Sequence, residues 1–370
     1  MKKTNASQKA IAVLLSLLMI LSLAACSGGS AGTGTSSGSA ATSSTASSAT
    51  VTGVEYTEAK LLMSTTVGEN SNAAKMCVLF ADKVKEATGG AVEISTYPSD
   101  QLSGGDMPKG VDLLVNGSTD CAFEPVDVIS SLDQSLLTLN LAWNLDSYDK
   151  AESMLNATAG QYVADKMSAQ GITTLGFIHN GLRQLTNNKH EVTTLADLSD
   201  LKLRVPGGEP FMKVFTILGA DPLTLSFSEL YTALSQSTVD GQENGFDLIY
   251  NNSFYEVQKY ITVWNYSYGA FGLFFNTESW DKLNDATKAV LQSCAQEVCR
   301  TGCQNVVDNE ASQRQAIVDY GVKVTDLTAD QIKVFKDKLI SDGYYDYFYE
   351  KYGADAFTAF GIDISAVTAK

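Results

Sequence analysis

The sequence predicts an α/β fold, with short strands alternating with amphipathic helices around mostly parallel sheets. Three observations carry that prediction. The stretch AVEISTYP has the period-two alternation of a strand and follows a helical stripe ended by Gly89-Gly90. LKLRVP is a second alternating run, followed by a glycine turn and another helical stripe. Hydrophobic residues make up 44% and charged residues 18% of the chain, a balance that builds a real core. Helix–strand alternation of this kind places ligand sites at the carboxyl ends of strands.

In chain order, AKLLMSTT (59–66) is a short apolar strand. VGENSN then leads into a helix through Thr88 whose inner face is Cys77, Phe80, Ala81 and Val84. After AVEISTYP come a helix in PKGVDLLVNG, the segment TDCAFEP, and a buried strand ITTLGFI (172–178). In LKLRVP, Leu201, Leu203 and Val205 face one way, and Lys202 and Arg204 the other. Pro206-Gly207-Gly208 turns the chain and Pro210 suits the first turn of the next helix. That helix buries Phe211, Val214, Phe215 and Leu218 and ends at Gly219. Arg204 is thereby set at the end of a strand beside a helix start, where free N–H groups favour anions. Two readings stand at this point: a guanidinium that grips a carboxylate with two parallel bonds, or a solvated arginine on an edge strand.

SFSELYTALSQSTVDGQEN (226–244) reads as a helix with Leu230, Ala233 and Leu234 inward, started by a capping box of Ser226 and Glu229. Its tail, VDGQEN, is acidic, amide-rich and broken by glycine. On pattern alone it is either a polar helix end and loop or a surface that presents Gln242 and Asn244 to a ligand.

The chain begins with Lys2, Lys3 and Lys9, an uncharged apolar run from Ala10 to Leu23, and Ala24-Ala25-Cys26. That is the layout of a secretory signal over residues 1–25, and the run is short for a bilayer span of roughly 20 residues. A cysteine directly after small residues resembles a bacterial lipobox, implying a lipidated Cys26 and an extracytoplasmic, lipid-anchored protein. Residues 26–53 are nearly all Ser, Gly, Ala and Thr, the composition of a flexible tether. The net charge of −16 argues against nucleic acid and anionic membrane surfaces as partners. It also makes a small anion unwelcome unless cations are concentrated locally. Neither zinc spacing nor a complete disulfide framework emerges from Cys77, Cys121, Cys294, Cys299 and Cys303, which read as buried free thiols. His179 and His190 have no acid or nucleophile partner in sequence. Nucleophile-elbow, zincin and phosphate-loop motifs are missing, so neither catalysis nor a cofactor or metal is expected.

GLRQLTNN, LKLRVP and LSFSELYTALSQSTVDGQEN followed by FYEVQKY, in that order and spacing, resemble the solute-binding subunits of TRAP (tripartite ATP-independent periplasmic) transporters. The likeness runs from Lys60 to about Lys338. It implies a two-lobed, type II-like periplasmic-binding-protein fold with hinge strands and a long lobe-spanning helix. Residues 54–180 with 270–309 would form one lobe, and 181–269 with 310–370 the other. The chain would cross near Asn180, near Gly269 and within the helix after Ala286. It further implies that Arg204 binds a substrate carboxylate, Arg183 lines the same pocket with positive charge, Asn244 hydrogen-bonds the acid, and Phe227 packs on it. Thr66 and about Glu124 would face the ligand from the other lobe. The implied partners are a small organic acid (a C4-dicarboxylate, 2-oxo acid or sugar acid) and the transporter's membrane subunits, with the protein itself a monomer.

Three departures from the family pattern stand out. Gly245 replaces a frequent proline, suggesting a looser turn; Gly104-Gly105 replace acidic residues of some sugar-acid binders; and Glu124 is one place out of alignment. Competing readings are a binding protein of an ATP-driven importer, a ligand-sensing subunit, or a secreted hydrolase pairing Glu124 with Glu243 or Asp240. The aromatics Trp264, Tyr266, Tyr268 and Phe271 suit either a broad pocket or core packing.

Overall fold

The computed structural model describes residues 53–367, so the leader, most of the tether and Cys26 lie outside the described residues. Among the described residues nine strands make one continuous sheet: β1 (Ala59–Thr65), β2 (Val92–Tyr97), β3 (Cys121–Pro125), β4 (Ile172–Asn187), β5 (Lys202–Val205), β6 (Asp221–Thr224), β7 (Gly241–Asn244), β8 (Tyr260–Asn276) and β9 (Lys323–Asp326). Their order is β2-β1-β3-β8-β4-β7-β5-β6, with β9 beside β8.

The mostly parallel sheet expected from the alternation holds only toward the edges. β1 pairs in parallel with β2 and β3, and β5 with β6 and β7. The centre is antiparallel, β3–β8–β4–β7. The reason is that β4 and β8 are single long strands paired with each other in opposite senses through the middle, with short β7 on the far side of β4 and short β3 and β9 beside β8. Only the first half of β4 has the plain apolar pattern of ITTLGFI. Register shifts between Thr174 and Gly176, His179 and Gly181, and Arg183 and Leu185 break its pairing with β8 at three points along its length. At the middle bulge Gly181, with φ 116°, pairs with Gly269. Such bulges bend a strand and re-aim its side chains.

The helix Asn72–Ala87 buries Cys77, Phe80, Ala81 and Val84, and Gly89 and Gly90 follow it with positive φ. The helix Glu209–Ile217 carries Pro210 in its first turn and buries Phe211, Val214 and Phe215. The helix Asp285–Tyr320 is 36 residues long and buries Cys294 and Cys299. Trp264 and Tyr266 belong to the core around Phe211 and Phe215, and Tyr268 to a second core with Leu182 and Phe274. Among the described residues no helix is long and apolar enough to cross a membrane.

Two local expectations are corrected. The helix Phe227–Ser235 starts at Ser226 without a side-chain cap bond, so the capping box does not form; the neighbouring Ser228 hydroxyl instead donates to Gly105 O at 3.0 Å. Beyond that helix, GQEN is neither helix end nor loop but the fully buried strand β7 between β4 and β5. A Cβ on Gly241 would lie 2.0 Å from Thr186 O, so only glycine lets β7 come this close to β4. The turn after it is tight rather than loose: a Cβ on Gly245 would meet Asn180 O at 2.7 Å.

Candidate functional site

The carboxyl ends of β1, β3 and β5, the bulged middle of β4 and the end of β7 converge on a cavity of about 20 Å³. Thr66, Arg183, Arg204, Phe227 and Asn244 all line it. Glu124, the sixth residue expected there, does not; it stands one layer back, accepting a 2.7 Å hydrogen bond from the Thr66 hydroxyl. Phe271 lines the cavity too, so of the four aromatics named from sequence one faces the site and three pack the cores.

Arg204 sits on a central strand, not an edge, and is 1% exposed. Its Nε donates to Leu225 O at 3.0 Å, whereas Nη2 is buried with no acceptor. None of the described carboxylates forms an ion pair with it. The guanidinium carbon lies 5.8 Å from the Phe227 ring centroid, within cation–π range. Burial pulls this guanidinium down to about 10; Glu243 opposes the fall and Arg183 adds to it. It therefore stays charged at neutral pH. A buried donor left unmatched costs about 1–3 kcal/mol, and more when charged, which an arriving carboxylate would relieve.

Arg183 is equally buried but already matched. Its Nε and Nη2 reach the two Glu243 carboxylate oxygens, Nη2–Oε1 at 2.7 Å, and Nη2 also reaches Glu243 O at 3.0 Å. Tyr266 donates to the same carboxylate at 2.6 Å. Burial alone would lower Arg183, but Glu243 more than compensates and the net shift is upward. The expected pair of free cations is thus one free and one neutralised. Phe211 covers the far side of Arg183, 5.2 Å from its guanidinium carbon.

β7 explains why VDGQEN is polar and buried. Gln242 Nε2 bonds Thr186 Oγ1 at 3.2 Å, Thr186 donates to Gln258 Oε1 at 2.7 Å, and Asn244 Nδ2 donates to Gln242 Oε1 at 2.6 Å. Buried polar chains of this kind are costly unless complete; here they fix Asn244 at the cavity wall.

Two polar lining residues escaped sequence reasoning. Asp127 follows β3, half-buried, with Oδ1 enclosed and unpartnered; burial raises its carboxyl and Arg183 opposes the rise. Asn180, beside the β4 bulge, has an unpartnered Oδ1. The available signal for Asp127 was a lone acid inside the apolar run Val126–Ile129. Behind Thr66, burial raises Asp100 to about 6 and Glu124 well above the carboxylate range.

The acid pair imagined for a hydrolase does not assemble. Glu124 on β3 and Glu243 on β7 are three strand spacings apart, roughly 14 Å between backbones. Paired glycosidase carboxyls stand within about 10 Å. Asp240 is held by Lys202 N at 3.1 Å and by Lys189.

Comparison with known proteins places this site in context. Residues 63–351 match the family described as bacterial extracellular solute-binding protein, family 7. The chain is 30% identical over 271 residues to the sialic acid-binding periplasmic protein SiaP of Vibrio cholerae, covering 73% of this chain and 83% of that one. It is similar in structure to the sugar acid-binding protein DctPAm of Advenella mimigardefordensis, crystallised with galactonate: TM-score 0.79, 26% identity, 83% of this chain and 97% of that one. A TRAP periplasmic solute-binding protein of Sulfurospirillum deleyianum with bound succinate matches with TM-score 0.77 and 25% identity, over 84% of this chain and all of that one.

Proposed function

The chain belongs to family 7 of the bacterial extracellular solute-binding proteins, the solute-binding subunits of TRAP transporters, and on that premise we propose that it captures a small organic acid with Arg204 and delivers it to membrane subunits. The observation that carries this reading is the buried Nη2 of Arg204, a charged donor with no acceptor at the wall of a cavity. Arg204 takes the ligand carboxylate, Asn244 and the wall around Thr66 add hydrogen bonds, and Phe227 packs on the ligand. Charge-assisted bonds contribute about 1.5–3 kcal/mol each. Two or three of them with apolar contact reach the roughly 8 kcal/mol of micromolar binding. Arg183 acts differently from a second clamp: paired to Glu243, it stiffens the wall on which Arg204 and Asn244 are mounted.

A cavity of about 20 Å³ holds about one water, whereas ligand pockets span about 300–1,000 Å³. Loading therefore requires opening. We place the hinge at the β4–β8 pair where Gly181 faces Gly269, with residues 54–180 and 270–309 moving against 181–269 and 310–370. The Ser228–Gly105 contact would break on opening. Lipid attachment at Cys26, a tether to residue 53 and a monomeric body complete the proposal. Thermal-shift titration with organic acids tests it. The wild-type protein should be stabilised, Arg204→Ala should lose the shift, and Arg204→Lys should recover only part. An undiminished shift in Arg204→Ala removes Arg204 from the site.

A further inference from the structure

A second cavity, of about 440 Å³, lies where β8 and β9 meet the helix Ala329–Ser341, and it shares no lining residue with the cavity at Arg204. Its size falls within the roughly 300–1,000 Å³ of small-molecule pockets. An irregularity in the sheet makes it. Arg183 pairs with Ser267 and Leu185 with Thr262, so residues 263–266 of β8 face Gln184 alone. Gln184 Oε1 accepts from Trp264 N at 3.0 Å and Asn265 N at 3.1 Å, and its Nε2 donates to Asn265 Oδ1 at 2.6 Å. From the other side Trp143 donates its backbone N to Tyr266 O at 2.6 Å and its Nε1 to Trp264 O at 3.2 Å. Trp143 and Asn265 both line the cavity and are held at φ 50° and 45°, a region that few non-glycine residues adopt. Backbone strain of this kind clusters at ligand sites.

Trp264 also lines the cavity; it is 1% exposed, and its Nε1 is enclosed with no acceptor. Trp143 and Phe335 meet its ring at near right angles without supplying a lone pair. An indole nitrogen donates and does not accept, so the missing partner is a hydrogen-bond acceptor. Around the cavity Asp146 stands 3.9 Å from Lys150, Asp326 is paired with Arg314, and Lys333 with Asp337. Lys336, half-buried in the same wall, has no ion pair or hydrogen bond among the described residues. An acceptor wanted beside an unbalanced ammonium describes a carboxylate. The half-buried Trp143 and Ile332, with Leu327, supply apolar surface for the rest of such a molecule.

We propose that this cavity is a second ligand site, separate from the one at Arg204, for a small monocarboxylic acid with a flat apolar body: Trp264 Nε1 donates to the carboxylate, Lys336 balances its charge, and Trp143, Leu327 and Ile332 pack on the body.

Titration of the purified protein with phenylpropionate, and with phenylpropanol as its uncharged counterpart, tests this by nuclear magnetic resonance. The chain has three tryptophans, so a proton–nitrogen correlation spectrum holds three indole N–H signals. Trp264→Phe identifies its own; should that variant not fold, Trp143→Phe and Trp280→Phe identify it by elimination. Phenylpropionate should move the Trp264 signal downfield and saturably, in wild type and Arg204→Ala alike. Lys336→Gln, which removes no hydrogen bond of the fold, should weaken phenylpropionate at least five-fold and leave phenylpropanol unchanged. Overturning results are a Trp264 signal that stays in place, a shift lost in Arg204→Ala, and a Lys336→Gln effect that is smaller than five-fold or equal for both probes.

Discussion

Replacing Glu243 by Gln keeps the shape of the side chain and removes the charge that neutralises Arg183. In the native protein that carboxylate takes two bonds from the guanidinium and one from Tyr266, with both partners of the ion pair 2% exposed or less. Removing one partner of a buried pair costs about 3–5 kcal/mol, because the remaining charge is stranded away from water. With about 2.1 cal/mol/K of unfolding entropy per residue, a body of this size has a melting entropy of about 0.7 kcal/mol/K. The melting temperature of Glu243→Gln should therefore fall by about 4–7 °C in differential scanning calorimetry. Adding Arg183→Met should restore part of the loss, since an apolar replacement of a whole buried pair is often neutral. A single variant melting within about 1 °C of wild type would refute the reasoning, as would a double variant that melts lower still.

Two further outcomes follow from the surroundings of the site. Gly241→Ala places a methyl 2.0 Å from Thr186 O and 3.0 Å from Asn187 Cα, both backbone; β7 should separate from β4. The variant should lose more than about 2 kcal/mol in urea unfolding, and a neutral result would mean that β7 is not seated as described. Asp100 is buried with its carboxyl raised from 3.8 to about 6, mainly by desolvation. An acid raised on folding binds its proton more tightly in the native state, so its burden is absent below about pH 4, grows toward pH 6 and is constant above. Asp100→Asn should thus be more stable than wild type at pH 7, by on the order of 2–3 kcal/mol, with the difference vanishing near pH 4. A stability gap independent of pH would exclude this cause.

How much of this was legible beforehand depends on how local its cause is. The helices ending at Ala87 and Ile217 show their buried faces in a 3.6-residue stripe, and Gly89, Gly90 and Gly219 mark their ends. β1, β2 and β5 alternate or run apolar over a few residues. β7 has no such signal: GQEN is buried because Arg183, Tyr266 and Thr186 satisfy it from β4 and β8. The lengths of β4 and β8 were hidden by bulges, which break the period-two pattern where the strand bends. The antiparallel centre follows from that same missed continuity.

At the site, Arg204 was visible because a polar residue in an alternating strand must face opposite Leu203 and Val205. Its lack of a partner was not, since that depends on which acid reaches which arginine. Glu243 could have been assigned to either guanidinium from sequence; the structure gives it to Arg183. Asp127 carried only the faint anomaly of one charge among apolar neighbours. Its lone carboxylate oxygen acquires meaning when β3, β4 and β5 bring it to the cavity that holds the free guanidinium.

The most direct measurement is a crystal structure of the protein soaked with whichever acid stabilises it most, read at a single position. The account predicts a ligand carboxylate oxygen about 2.7–2.9 Å from Arg204 Nη2, with Arg183 still paired to Glu243. A carboxylate seated elsewhere, while Arg204 stays unbonded or turns to a protein acid, would contradict it.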